Sequence, residues 1–293
     1  MKLIFMGTPA FTLPVLEALQ KEHEIVAIYT RAPKPAGHGM KIKKSPVHEW
    51  GERHQIPVLT PATLKSEEEQ KKLSQFKADA IIVFAYAMMI PEAVLNLTPL
   101  GCINIHPSLL PRWRGAAPVV RAIQAGDKQS GVSIMKLDKG WDTGPVYIQQ
   151  KMDLATDETA ETLGVKLTQM AIPMLLKVLK EKPTPTPQPE SGACYAPKME
   201  KEETKIDWTK SAEQIERDIR ALGKGYYLNQ GKRIFILKAQ VVDIPESESE
   251  KKKVFICGAK ALQPLFLQKE GKKPASLHDF LLGNTLTRDN NAL

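Results

Sequence analysis

The sequence predicts an α/β protein: a doubly wound, mostly parallel Rossmann-like sheet followed by a smaller C-terminal OB-like β-barrel. Three observations carry that prediction. Near-continuous apolar runs of strand length alternate with amphipathic helical stretches through the N-terminal half, the pattern of parallel strands covered on both faces. A proline-alternating segment, EKPTPTPQPE at 181–190, then breaks the pattern as an extended, stiff connector. Beyond it, short β-like runs separated by Gly and charged turns fill residues 226–268, which suggests a small barrel.

The elements follow in order. KLIFM (2–6) is a buried strand halted by Gly7-Thr8-Pro9, and the helix after it gathers Val15, Leu16 and Leu19 on one face. EIVAIYT (24–30), ADAIIVFAYA (78–87) and GCINIH (101–106) are the next strands. SGVSIMKLD (130–138) and PVYIQQKMDL (145–154) read as a strand pair joined by KGWDTG, and a helix over 157–181 closes this half. After the connector come a helix, SAEQIERDIRAL (211–222), the strand-like YYLNQ, RIFILKAQVVDI and KVFICGAKALQPLFLQ, and a small helix SLHDFLLG. ESESEKKK (246–253) reads as a solvated hairpin tip. These boundaries give a larger domain at 1–189, a linker at 190–205 and a smaller domain at 206–293. In an open α/β sheet the working site lies beyond the carboxyl ends of the strands, so Gly7-Thr8, Tyr86-Ala87 and His106 are expected at one rim.

Bulk properties narrow the setting. A chain of 293 residues is long enough for two domains. A net charge of +8 and a pI near 9.2 fit either a polyanionic partner or a basic, solvated surface. Residues 201–293 hold 17 Lys+Arg against 13 Asp+Glu, half of that excess. Three scattered cysteines without a CxxC pair argue for a reducing cytosol and against a disulfide frame or zinc site. The start carries no cleavable signal, and the longest apolar run, AIIVFAYAMMIP, falls short of a membrane span. A soluble, cytoplasmic protein is expected.

The chemistry concentrates at two places. Asn104 and His106 alternate on one strand and therefore share a face, directly before Pro107 stops the strand. Buried polar side chains need partners, though a polar pair at a strand end is as readily structural. Asp142 lies between Gly140 and Gly144 in a tight loop, where an Asp is often a simple turn-former. Were the three to converge, His would be a near-neutral donor or acceptor, Asp a proton acceptor or an orienter of the ring, and Asn a neutral donor for an oxyanion. No nucleophilic Ser or Cys with a base is evident nearby, so direct transfer between two bound substrates fits better than a covalent intermediate. Separately, RAPKPAGHGMKIKK (31–44) holds five Lys/Arg and no acid. It reads as a solvated loop or as a phosphate-contacting one that orders on binding.

NIHPSLLPRWRGAAP (104–118), with DTGP at 142–145 and MGTP at 6–9, resembles the 10-formyltetrahydrofolate transformylase family. PAGHGMKIKKSPV (35–47) resembles the family's basic loop, and YAPKMEKEETKIDW (195–208) with IERDIRAL (215–222) its interdomain segment. The resemblance implies formyl transfer from 10-formyltetrahydrofolate, a consumed co-substrate, to the α-amine of methionine on initiator tRNA, with no metal. It assigns Asn104 and His106 to the oxyanion, a role worth about 2.7–4 kcal/mol per donor. It assigns Asp142 to polarising His106 and moving the amine proton through an ordered water. Ser108, Leu109, Leu110 and Pro111 become a rigid folate-contacting wall, and Tyr86, Met88 and Ile90 the apolar slot for the pterin. Arg31, Lys34, His38, Lys41, Lys43 and Lys44 become the tRNA-contacting set, although many relatives carry Arg where this chain has His38. Residues 206–293 become a tRNA-binding domain, and a monomer is expected. Two alternatives stay open: a transformylase acting on an amino sugar or a purine-pathway ribonucleotide, and an RNA-binding protein built on a decayed enzyme domain. The basic C-terminal part weighs against the first and the intact trio against the second.

Overall fold

The computed structural model describes residues 1–36 and 41–289. The chain forms two compact units: residues 1–115, 129–152 and 164–195 make the first, and residues 116–128, 153–163 and 196–293 the second.

The first unit is built on a seven-stranded sheet. Its strands are β1 (Lys2–Gly7), β2 (Glu24–Tyr29), β3 (Val58–Leu59), β4 (Ala80–Phe84), β5 (Cys102–His106), β6 (Gln129–Lys136) and β7 (Val146–Asp153). They lie in the order β7-β6-β5-β4-β1-β2-β3. Strands β1 to β5 pair in parallel, and β6 runs antiparallel to β5. The architecture is therefore mixed α/β around a parallel-dominated sheet. Side-chain alternation sorts one buried face: Ile4 and Met6, Ala27 and Tyr29, and Ile81 and Val83 belong to a single apolar cluster. Register aligns them in rows, with Ile4 beside both Ala27 and Ile81. The neighbouring strand comes so close at Gly7 that a Cβ there would meet the Phe84 carbonyl oxygen at 2.8 Å.

The order of strands reverses between β1 and β4. Gly7 pairs with Phe84, and Val83 with Asn104, so the carboxyl ends of β1, β4 and β5 finish at one rim. That is where an open α/β sheet places its ligands. Helix α1 (Leu13–Glu22) buries Val15, Leu16 and Leu19. Helix α2 (Pro46–Arg53) starts from Ser45, whose Oγ accepts from the His48 N–H at 3.0 Å, an ordinary N-cap with Pro at N1.

The second unit includes helix α3 (Pro118–Ala125), and most of the 22-residue helix α4 (Ala160–Glu181), from residue 164 on, belongs to the first. Among the described residues α4 alone is long and apolar enough to cross a membrane. Its buried Leu167, Ala171, Leu175 and Val178 recur at the i, i+4 and i+3 spacing of a core stripe. Strands β8 (Gly225–Asn229), β9 (Lys232–Val242), β10 (Phe255–Cys257) and β11 (Lys260–Lys269) lie in the order β8-β9-β11-β10, and β12 (Ala275–Ser276) pairs with β11. Each of these pairings is antiparallel, with register shifts around Lys238, where a bulge bends and twists the long pair.

Helix α5 (Ala212–Leu222) covers that sheet, packing Ile215 and Ile219 with Tyr227, Ile236, Leu262 and Leu267. It ends at Gly223, whose φ of 73° is the left-handed cap that glycine adopts most cheaply. Helix α3 belongs to the same packing. Its Gln124 carbonyl accepts from Gln214 Nε2 (3.0 Å) and Arg217 Nε (3.3 Å) on α5. Segment 246–253, expected as a hairpin tip, instead forms one helical turn, Glu248–Lys251. Ser247 caps it by accepting from the Glu250 N–H at 3.3 Å, the S-x-x-E relation that starts helices.

Candidate active site

Three side chains from distant parts of the sequence meet at the rim of the first unit. Asn104 and His106, at the end of β5, are 8% and 3% exposed. Asp142 arrives on the loop between β6 and β7. That loop is turned by Asp138, whose Oδ1 accepts from the Gly140 N–H at 3.0 Å and from Thr143 Oγ1 at 2.8 Å. A Cβ on Gly144 would lie 1.9 Å from the Lys136 carbonyl oxygen, so only glycine lets the loop close. Asp142 itself adopts φ 54°, which non-glycine residues rarely do.

The carboxylate is held at both oxygens. Asn104 Nδ2 donates to Oδ1 at 3.4 Å, and the backbone N–H of Gly115 donates to Oδ2 at 2.9 Å. His106 Nδ1 stands 3.7 Å from Oδ2. On its other edge the ring lies 2.8 Å from the Trp113 carbonyl through Nε2. A carbonyl can only accept, so Nε2 carries the proton. Nδ1 is left facing the carboxylate, and a second proton placed there would also find an acceptor. Trp113 has φ 63°. Its backbone N–H points to Cys194 Sγ at 3.2 Å, and the Arg112 guanidinium lies 4.4 Å from its ring centroid. The indole therefore sits in a pinned loop.

The Ser108–Pro111 turn is fixed from behind. Ser108 Oγ donates to the Arg112 carbonyl at 2.7 Å, and Ser133 Oγ donates to the Ser108 carbonyl at 2.6 Å. The Leu110 N–H donates to Ser133 Oγ at 3.2 Å, while Gln149 Nε2 donates to the Leu110 carbonyl at 2.7 Å. The Leu110–Pro111 peptide is cis. Ser108 and Leu110 are buried, and Leu109 and Pro111 are half-buried. At the end of β4, Tyr86 is buried in the apolar cluster, and Met88 and Ile90 pack against it. Burial pushes the Tyr86 phenol up to about 12. Met89, between the latter two, is 57% exposed.

Of the basic set, Arg31, Lys34, Lys43 and Lys44 are exposed. Lys34–Ala36 and Lys41–Lys43 form a two-stranded hairpin that sets Lys34 directly opposite Lys43. Lys44 is already paired with both carboxylate oxygens of Glu52, at 2.6 and 2.7 Å. His38 lies outside the described residues, and of Lys41 only the backbone is described. Among the described residues, no group of three His, Cys, Asp or Glu is placed to hold a metal ion.

Comparison with known proteins decides the family. The Formyl transferase domain matches residues 1–179, and the Formyl transferase C-terminal domain matches residues 198–285. The chain belongs to the formyl transferase family. It is 42% identical to the methionyl-tRNA formyltransferase of Gluconobacter oxydans and 40% identical to that of Paramagnetospirillum magneticum, in each case over 98% of both chains. Its fold is similar to that of the N-formyltransferase from Helicobacter canadensis, in complex with folinic acid and dTDP-3-aminofucose. That likeness has a TM-score of 0.66 at 18% identity, over 92% of this chain and 99% of the other.

For a formyl transferase the arrangement offers a carboxylate with an amide 3.4 Å and an imidazole 3.7 Å from it. The holders of this site are less legible in the sequence than its members. Gly115 and Trp113 contribute backbone groups, which any residue type supplies, so composition gives no signal. Ser133 carries a signal: a polar side chain at a buried position of an apolar strand, as Asn104 is. Gln149 carries none, because it lies at an exposed position of a polar strand. Gln188 donates to the carbonyls of Asp142 and Gly144, both at 2.8 Å, from the segment expected to be a plain connector.

Proposed function

We propose that the protein transfers a formyl group from 10-formyltetrahydrofolate to the α-amine of methionyl initiator tRNA and so supports translation initiation. The observation that carries this reading is the convergence of Asn104, His106 and Asp142, in a chain matched from end to end by relatives named for that activity. The neutral amine attacks the formyl carbon, and the carbonyl oxygen takes up negative charge. Asn104 Nδ2 and a protonated His106 Nδ1 are the donors available to that oxygen; Nε2 is occupied by Trp113. Asp142 accepts the proton the amine loses, through an ordered water, and returns that proton by the same route to the folate nitrogen as its bond to the formyl carbon breaks. Proton transfer of this kind contributes on the order of a hundred- to ten-thousand-fold.

The rigid Ser108–Pro111 turn and the Tyr86–Ile90 segment are the proposed walls for the folate. Arg31, Lys34, His38, Lys41, Lys43 and Lys44 are the proposed contacts to the acceptor end of the tRNA. The Lys34–Lys43 pairing supports this, because like charges directly opposed on a hairpin destabilise it and a phosphate between them reverses the sign. In this reading residues 1–189 carry the catalysis on a doubly wound, Rossmann-like sheet, 190–205 link, and 206–293 dock the tRNA as an OB-like barrel. The protein acts as a cytoplasmic monomer.

The test is formylation of initiator and elongator methionyl-tRNA, side by side, with 10-formyltetrahydrofolate. Formyl-methionyl-tRNA formed from the initiator species is expected. Turnover of a small amine with neither tRNA formylated would replace this reading by a small-molecule transformylase.

A further inference from the structure

We propose that Gln188 is a positioning residue for Asp142, acting with Arg114 as a buckle that sets where the carboxylate lies. Gln188 sits in the proline-alternating segment, between Pro187 and Pro189. Its Nε2 donates to the Asp142 and Gly144 carbonyls, both at 2.8 Å, and its Oε1 accepts from Arg114 Nε at 3.0 Å. Carbonyls accept and guanidinium donates, so the reversed amide would clash with all three partners, and the orientation is fixed chemically.

Arg114 and Gly115 are consecutive, and together they hold Asp142 at both ends. Gly115 N–H takes the carboxylate at 2.9 Å, and Arg114, through Gln188, takes the main-chain carbonyl. Asp142 needs such restraint, since a non-glycine residue in the left-handed region costs on the order of 1–3 kcal/mol. The segment carrying Gln188 is itself docked: Thr186 and Val146 exchange backbone hydrogen bonds, both 2.8 Å. The flanking prolines fix φ, which limits the entropy lost in presenting the amide. The purpose of the hold is distance. His106 Nδ1 and Asp142 Oδ2 are 3.7 Å apart, and a shift of about 1 Å at a reacting group can cost on the order of 100-fold in rate.

The inference rests on Asp142 being the proton-moving group of the proposed reaction. The experiment measures formyl transfer by full-length Gln188→Ala, Asp142→Asn and the double variant, with KM for both substrates, the pH dependence of kcat, and thermal melting. Gln188→Ala is expected to lower kcat about 10- to 100-fold, with both KM values within about 2-fold, an altered pH profile and a melting temperature only about 2–4 °C lower. In the Asp142→Asn background the same change should cost less than about 2-fold, because residues acting through one group are not additive. Wild-type kcat in Gln188→Ala, or additive losses in the double variant, would overturn the assignment. If the wild-type chain formylates only a small amine, the tRNA reading fails and the same comparison is made with that amine. If it formylates nothing, both fail.

Discussion

At the scale of single residues, the site is governed by which groups can still move. His106 is pinned by the Trp113 carbonyl at Nε2 and turns Nδ1 toward the Asp142 carboxylate, so truncating it removes the proposed oxyanion donor and leaves the proposed folate walls in place. His106→Ala is expected to lower kcat about 100- to 1,000-fold, the usual loss for an oxyanion donor. Folate affinity by fluorescence titration should change less than about 3-fold, since the walls proposed at 108–111 and 86–90 do not include the ring. Near-normal turnover would remove the imidazole from the chemistry. Two of the three central side chains were legible because Asn104 and His106 break an apolar strand at alternate positions. Asp142 was legible from its bracketing glycines, and Gly144 indeed admits no side chain. The groups that hold the trio were hidden for a physical reason. A backbone N–H or carbonyl has no residue signature, and the proline-alternating composition around Gln188 reads only as an extended connector although the side chain has three partners.

Among the elements, the buried apolar strands were the most readable. The apolar cores of β1, β2, β4 and β5 fell where the runs predicted, because both of their faces are buried. The two-residue β3 escaped because Val58 and Leu59 cannot express a period. Helix α3 is the element whose surroundings matter most. Arg121 on α3 pairs with the Glu203 carboxylate, Nη2 to Oε1 at 2.9 Å, and also donates to the carbonyls of Pro197 and Lys198. Its guanidinium, chiefly, pulls Glu203 from an ordinary 4.5 to about 2. A carboxylate whose folded value is depressed stabilises the fold above its unfolded value and loses that contribution as pH falls toward the folded one. The pair is partly solvated, so about 1–2 kcal/mol is a reasonable scale. Glu203→Gln is therefore expected to melt about 2–8 °C below wild type at neutral pH. The gap should hold down to pH 4.5 and then close as pH falls toward about 2. Calorimetric scans of both proteins across that window test it, and a gap independent of pH would assign the stabilisation to packing.

Over the whole molecule, the chain does not fold as two successive beads. It passes between the units five times, at 115/116, 128/129, 152/153, 163/164 and 195/196. Helix α3 follows the signature-bearing turn in sequence yet belongs to the second unit, where α5 meets its Gln124 carbonyl and Arg121 meets Glu203. The composition change at the proline-rich segment could not reveal this, because composition reports a boundary in sequence and α3 crosses it in space. A fragment ending at residue 205 would keep α3 but strip away α5, the strands beneath it and the partners of Gln124. Val120, Ala122 and Ile123, now 7%, 2% and 2% exposed, would lose cover. Exposing two such branched side chains costs about 3–6 kcal/mol, which for a piece of this size is about 6–24 °C in melting temperature. The fragment 1–205 is thus expected to melt well below the full chain and to bind a hydrophobic dye such as ANS, by circular dichroism and fluorescence respectively. A fragment that melts with the intact protein and stays dark would mean that α3 is stable without residues 206–293.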